Sequence, residues 1–228
     1  MISLKEQWVK LLGKLMNKER YQYEQKAYDE GYKVIAGCDE AGRGPMAGPL
    51  TVAACVFEEG FYDDRINDSK QLSEKKREQL YDLIIANAKA YSIVVIDEKK
   101  VDELNVYEAS RQGMIEAVKQ LGIKVDYILT DAMPLRNEMA HEAIIKGDSK
   151  SISIAAASIL AKVTRDRLMK EYDELYPQYN IKKHKGYPTK EHKELLKKYG
   201  PCPIHRRSFG PVKECLNEQL SLFDLEDE

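Results

Sequence analysis

The sequence predicts an α/β fold, a mixed five-stranded sheet flanked by helices, with a helical C-terminal region and an N-terminal helical extension. Three observations predict it. Two apolar, β-like runs, 33–37 and 49–57, lie close together, as antiparallel neighbours do. Three further runs, 90–96, 127–130 and 141–145, are separated by helical stretches or loops. A long helical pattern over 151–175 follows them. Strands first and helix-separated strands later argue a mixed sheet, not a purely parallel one.

Each element has its own signal. Leu4, Trp8, Leu11, Leu12, Leu15 and Met16 fall at helical spacing, and a charged, tyrosine-rich run continues to Tyr32. Residues 1–30 therefore read as a helical extension without recognisable chemistry, and Gly31 suits its stop. The main body spans 31–215. Its first strand, 33–37, is short and mostly apolar, and the second, 49–57, is rich in small and β-branched residues. Ser73 is a cap for a helix whose buried stripe is Leu80, Leu83 and Ile84. The helix over 105–121 ends near Gly122. The long helix carries Ile152, Ala156, Ile159 and Val163 on one stripe, and Pro177 stops it. The region 182–213 is punctuated by Pro and Gly, basic, and helical around 189–199.

Composition bounds the partners. Charged residues are 32% and apolar ones 43%, the balance of a soluble globular chain. No apolar run approaches the roughly 20 residues of a membrane helix. The start, Met1 to Glu6, lacks a signal-peptide pattern, and the four cysteines contain no Cys-x-x-Cys pair, so the reading is a cytoplasmic protein with reduced thiols. The net charge of −2 hides an asymmetry. Residues 216–228 hold five acids and no base, whereas 162–213 hold 14 bases against 6 acids. A basic region of that kind is either a polyanion track or a solvated helical face.

The chemistry centres on Asp39-Glu40-Ala41-Gly42-Arg43-Gly44, directly after the first strand. Side chains alternate along a strand, so both acids converge only if the chain bends there. Gly42 and Gly44 supply the freedom and let a ligand approach bare backbone. Arg43 offers donors suited to phosphate. Asp131 ends the fourth strand and Asp148 precedes the long helix, and sites in open α/β sheets form beyond strand carboxyl ends. Two carboxylates about 4 Å apart repel by roughly 4 kcal/mol at an effective dielectric of 20. If all four acids gather, hard divalent cations remove the conflict and serve phosphodiester hydrolysis. The plainer alternatives are a cap at Asp148, a turn at Asp131 and a solvated Glu40.

Resemblance narrows this. The run Gly37-Cys38-Asp39-Glu40-Ala41-Gly42-Arg43-Gly44-Pro45-Met46-Ala47-Gly48-Pro49 closely resembles the signature of type 2 ribonuclease H, the bacterial ribonuclease HII family. Asp68-Ser69-Lys70-Gln71-Leu72, Leu129-Thr130-Asp131, Lys146-Gly147-Asp148, the helix Ala155 to Asp166, His184-Lys185-Gly186-Tyr187 and His205-Arg206-Arg207-Ser208-Phe209 continue it in family order. The blocks cover residues 33–213. In the sister family, ribonuclease HIII, the loop tends to continue differently from Arg43 and Pro45 here.

The resemblance implies an RNase H-like core and a catalytic, metal-binding quartet at Asp39, Glu40, Asp131 and Asp148, holding two ions of Mg²⁺ or Mn²⁺. It implies an endoribonuclease cutting on the 5′ side of ribonucleotides in RNA/DNA hybrids and of single ribonucleotides in duplex DNA. The implied nucleic-acid contacts are Gly42, Arg43, Gly44, Lys70 and Tyr187. A second reading is a catalytically silent hybrid-binding module, which a missing acid would favour; none is missing. The pentapeptide Gln219-Leu220-Ser221-Leu222-Phe223 resembles peptides that dock on the bacterial sliding clamp, through Gln219, Leu220, Leu222 and Phe223. The alternative is a tail packing on its own domain. The chain otherwise reads as a monomer.

Overall fold

The structure, a computed structural model, describes residues 20–136 and 139–217. Most of the N-terminal extension and the pentapeptide 219–223 lie outside the described residues. Helix α1 (Gln22–Asp29) leads into β1 (Ile35–Ala41) and β2 (Leu50–Val56). Helix α2 (Glu74–Asn87), β3 (Ala90–Ile96), α3 (Glu98–Leu104) and α4 (Val106–Lys119) follow. Then come β4 (Tyr127–Asp131), β5 (His141–Ile144), the long α5 (Ile152–Leu175), the short α6 (Ile181–His184) and α7 (Lys190–Tyr199).

One sheet has the order β3-β2-β1-β4-β5. β1 and β3 run antiparallel to β2, while β4 runs parallel to both β1 and β5, so the expected mixed five-stranded sheet is present. Its central strands are buried on both faces. Leu50, Val52, Ala54 and Val56 pack with Met114 and Ala117 of α4, and the alternate Ala53 and Cys55 pack with Ala155, Ala156 and Ile159 of α5. Small side chains let α5 lie close. At Gly37 a Cβ would fall 2.2 Å from the Ser153 carbonyl carbon, so β1 and the first turn of α5 touch through backbone.

Three elements differ from expectation. β1 does not end at Gly37: it stays paired with β2 through Asp39↔Ala53 and Ala41↔Thr51. The bend comes later, at Gly42, where φ is +106°. Helix α5 is buried on every side from Ile152 to Ala161, because α2 covers what the sheet leaves open, so its apolar pattern is no single stripe. Helix α3 escaped notice because it is only 7 residues long. Asp97 caps it by accepting from the Lys100 N–H, and Asn105, at φ +63°, ends it and caps α4. Ser73 caps α2 as expected, while the cap of α5 is Ser151, not Asp148.

Candidate active site

β1 and β4 lie side by side and parallel, in a register that pairs Cys38 with Thr130. The next step up both strands brings Asp39 beside Asp131. A short 3₁₀ turn, Gly147–Ser149, delivers Asp148 ahead of α5. One oxygen from each of Asp39, Asp131 and Asp148 lies within 4.8 Å of the others. Asp39 and Asp148 are buried, and Asp131 is half-buried. Gly147 N–H donates to Asp131 Oδ1 at 2.8 Å, which ties the turn to the strand end.

Glu40 is not one of the three. Its carboxylate still lies close enough to the trio for its charge to act on Asp39 and for the charges of Asp131 and Lys70 to act on it. Its Oε1 accepts from Arg43 Nη1 at 3.2 Å. Its Oε2 is buried without a hydrogen-bond partner.

At separations of 4.8 Å or less, each pair of ionised carboxylates repels by at least about 3.5 kcal/mol at an effective dielectric of 20. The carboxyl groups respond accordingly. Asp39 is pushed well up, by burial and then by the charges of Glu40 and Asp131. Asp148 is raised by burial and by Asp131, against the pull of Lys70. Burial raises Glu40 as well, and Arg43 opposes it. The only ion pair to the trio is Lys70 Nζ to Asp148 Oδ2 at 3.3 Å, among the described residues. An all-oxygen donor set carrying excess negative charge, with one carboxylate oxygen left unpartnered, fits hard divalent cations.

Beside the acids sits a second constellation. A Cβ on Gly44 would lie 3.3 Å from the Tyr187 ring, which is half exposed, so the Gly44 backbone and this ring form one surface. Arg165 holds it from beneath. Fully buried, its guanidinium donates to Pro49 O and Ala47 O of the loop and to Lys185 O of the Tyr187 turn, at 2.9, 3.1 and 2.9 Å. Arg206, also buried, donates to Gly48 O at 3.0 Å. Burial pulls both guanidinium groups down to about 10.

Three imidazoles lie behind the tyrosine. The His192 Nδ1–H donates to Tyr187 O at 3.0 Å, which leaves its Nε2 to accept from His205 Nε2–H at 3.1 Å. His205 Nδ1 then accepts from Cys202 N–H at 3.0 Å. His184 stacks on His192 with centroids 4.1 Å apart and bonds Tyr179 O through Nε2. Burial pulls His192 and His205 down to about 4, so all donors and acceptors are matched by neutral rings.

A family model described as Ribonuclease HII matches residues 36–212. The chain belongs to the ribonuclease HII family. It is 51% identical over 203 residues to the Ribonuclease HII of Acholeplasma laidlawii, covering 89% of this chain and 100% of that protein. The solved ribonuclease H2 of Pyrococcus horikoshii OT3 is similar at a TM-score of 0.70 and 30% identity, over 81% of this chain and 98% of that one. RNase HII from Archaeoglobus fulgidus, solved in complex with PCNA, is similar at 0.62 and 27%, over 76% and 92%. The enzyme is thus a type 2 ribonuclease H, a metal-dependent endoribonuclease, and the reading as a silent binding module is set aside.

The structure brings Asp39, Asp131 and Asp148 of this ribonuclease HII together, with Glu40 beside them. It sets Gly44 against Tyr187, and the tip of the exposed Lys70 against Asp148. Arg43 pairs with Glu40. Sequence reasoning missed the clamping role of Arg165 and the imidazole chain. Both fell inside quoted motifs or near them, but a basic residue among other basic residues gives no sign that it is buried.

Proposed function

We propose that this enzyme hydrolyses the phosphodiester on the 5′ side of a ribonucleotide, in RNA/DNA hybrids and at single ribonucleotides within duplex DNA. The observation that carries this is the three-carboxylate cluster at the carboxyl ends of β1 and β4. Asp39, Asp131 and Asp148, with the unpartnered oxygen of Glu40, would hold two divalent ions, Mg²⁺ or Mn²⁺. When bound, such ions make water nucleophilic and stabilise the departing oxygen, which leaves 3′-hydroxyl and 5′-phosphate ends.

The chain's own groups select the bond. In the Gly42–Gly44 loop, the main-chain groups of Arg43 and Gly44 lie open for a 2′-hydroxyl, the group that separates RNA from DNA, while Gly42 packs beneath them on Arg165. The half-exposed Tyr187 ring packs on the deoxyribose that follows. Lys70, mostly exposed along its stem, contacts phosphate once cations take over the neutralisation of Asp148. Arg43 adds a further phosphate donor. In the cell this chemistry serves removal of misincorporated ribonucleotides and RNA primers in the cytoplasm. The pentapeptide Gln219 to Phe223 docks on the sliding clamp; the PCNA complex of the Archaeoglobus relative is a precedent for clamp association.

The test is a labelled duplex with one embedded ribonucleotide. Cleavage at its 5′ side with Mg²⁺, abolished by chelation and by Asp131→Asn, is the expected result. Binding of this duplex without cutting in Mg²⁺ and Mn²⁺ would overturn the assignment.

A further inference from the structure

Helix α1 lies outside the span matched by the family model, which begins at residue 36. It carries one buried acid. Glu24 is 2% exposed, and its Oε1 accepts from Ser151 Oγ at 2.6 Å, Ser153 N–H at 3.1 Å and Ser153 Oγ at 2.8 Å. Its Oε2 is buried without a hydrogen-bond partner. The Arg20 carbonyl accepts from the Ile152 N–H at 3.0 Å, so the same segment grips the helix start by backbone too. These bonds all reach the first turn of α5, where free N–H groups and the positive end of a 24-residue helix favour a carboxylate.

The first turn of α5 is also what fixes Asp148. Ser151 N–H donates to Gly147 O at 2.9 Å, closing the turn that carries Asp148. A Cβ on Gly147 would lie 2.6 Å from Ile154 Cδ1, so this turn rests directly on α5. On its far side α5 abuts β1 at Gly37. Any shift of the helix start therefore moves Asp148 relative to Asp39 and Asp131.

We propose that Glu24 is a positioning residue for the metal site: by capping α5 from outside the family core, it holds Asp148 in register with Asp39 and Asp131. The inference rests on the reading of Asp148 as a metal ligand. Partners that orient a ligand without touching the metal typically contribute 10- to 100-fold in metal affinity.

The experiment is Mn²⁺ titration by calorimetry on the full chain without nucleic acid, for wild type, Glu24→Ala, Glu24→Gln, Ser153→Ala and Asp148→Asn, with KM for the duplex measured at saturating metal. Glu24→Ala is expected to weaken Mn²⁺ binding on the order of 10-fold with KM unchanged. Glu24→Gln keeps an acceptor at Oε1 and is expected to restore most of the affinity. Ser153→Ala removes a single bond and is expected to weaken binding a few-fold. If Asp148→Asn binds Mn²⁺ as wild type does, the ligand reading fails and the inference with it. If Asp148→Asn weakens binding while folded Glu24→Ala does not, the positioning role alone is overturned. If Glu24→Ala does not fold, unchanged Mn²⁺ affinity in Ser153→Ala overturns it.

Discussion

Arg165→Lys separates the work of a fork from that of a charge. The wild-type guanidinium satisfies three buried carbonyls, those of Ala47, Pro49 and Lys185. A lysine ammonium placed in the same cavity reaches one. Each charge-assisted bond contributes roughly 1.5–3 kcal/mol, so two lost bonds remove about 3–6 kcal/mol. Burial already disfavours the charge at this position, and a lysine escapes part of that cost by shedding its proton. The net expectation is a destabilisation of about 3–5 kcal/mol, a large part of the 5–15 typical of a domain. Urea unfolding at pH 7 measures it. Because the lost bonds join the Ala47 and Pro49 carbonyls, just after the Gly42–Gly44 loop, to the Tyr187 turn, cleavage of a duplex with one ribonucleotide should show a raised KM and cuts displaced from the 5′ side. A loss below about 1 kcal/mol with an unchanged cleavage pattern would refute the clamp.

Other expectations follow from the same geometry. The folded chain keeps His192 and His205 neutral down to about pH 4, whereas the unfolded chain protonates them near the ordinary value of 6.5. Their stabilisation is therefore complete above pH 6.5 and is lost as pH falls towards 4, by on the order of 3 kcal/mol per ring; a flat denaturation midpoint over that window would count against it. Gly37→Ala puts a methyl against α5 backbone and should cost roughly 3 kcal/mol or more, read by thermal unfolding. Tyr187→Ala should raise KM on junction substrates with little change in Tm. Activity should decline steeply with salt as counterions compete for the basic 162–213 region, and a level profile would place that region away from the substrate.

Much of the architecture was legible because the pattern is local. Strands such as 90–96 and 127–130 announce themselves by β-branched runs, and Ser73 does cap its helix. The gathering of Asp39, Asp131 and Asp148 was legible for another reason: the motifs that carry them resemble one family in order, and the structure brings one oxygen from each within 4.8 Å of the others. What stayed hidden depends on contacts distant in sequence. Nothing around Glu24 distinguishes it from the exposed Asp29 of the same helix; only the arrival of Ser151 and Ser153, 127 and 129 residues later, makes it a cap. The end of β1 was hidden for a similar reason. Asp39 and Glu40 look like a turn, and pairing with the apolar Ala53 and Val52 on β2 keeps them extended. The burial of α5 on all sides likewise reflects α2, which no periodicity within α5 reveals.

The enclosed imidazole chain has a practical consequence. Its ring protons all point one way, from Cys202 through His205 and His192 to the Tyr187 carbonyl. Buried and hydrogen-bonded, they should exchange slowly enough to be followed as individual nitrogen-bound resonances. Their frequencies would shift whenever the tyrosine turn changes position, so the enzyme contains its own spectroscopic gauge of nucleic-acid docking, with no label attached.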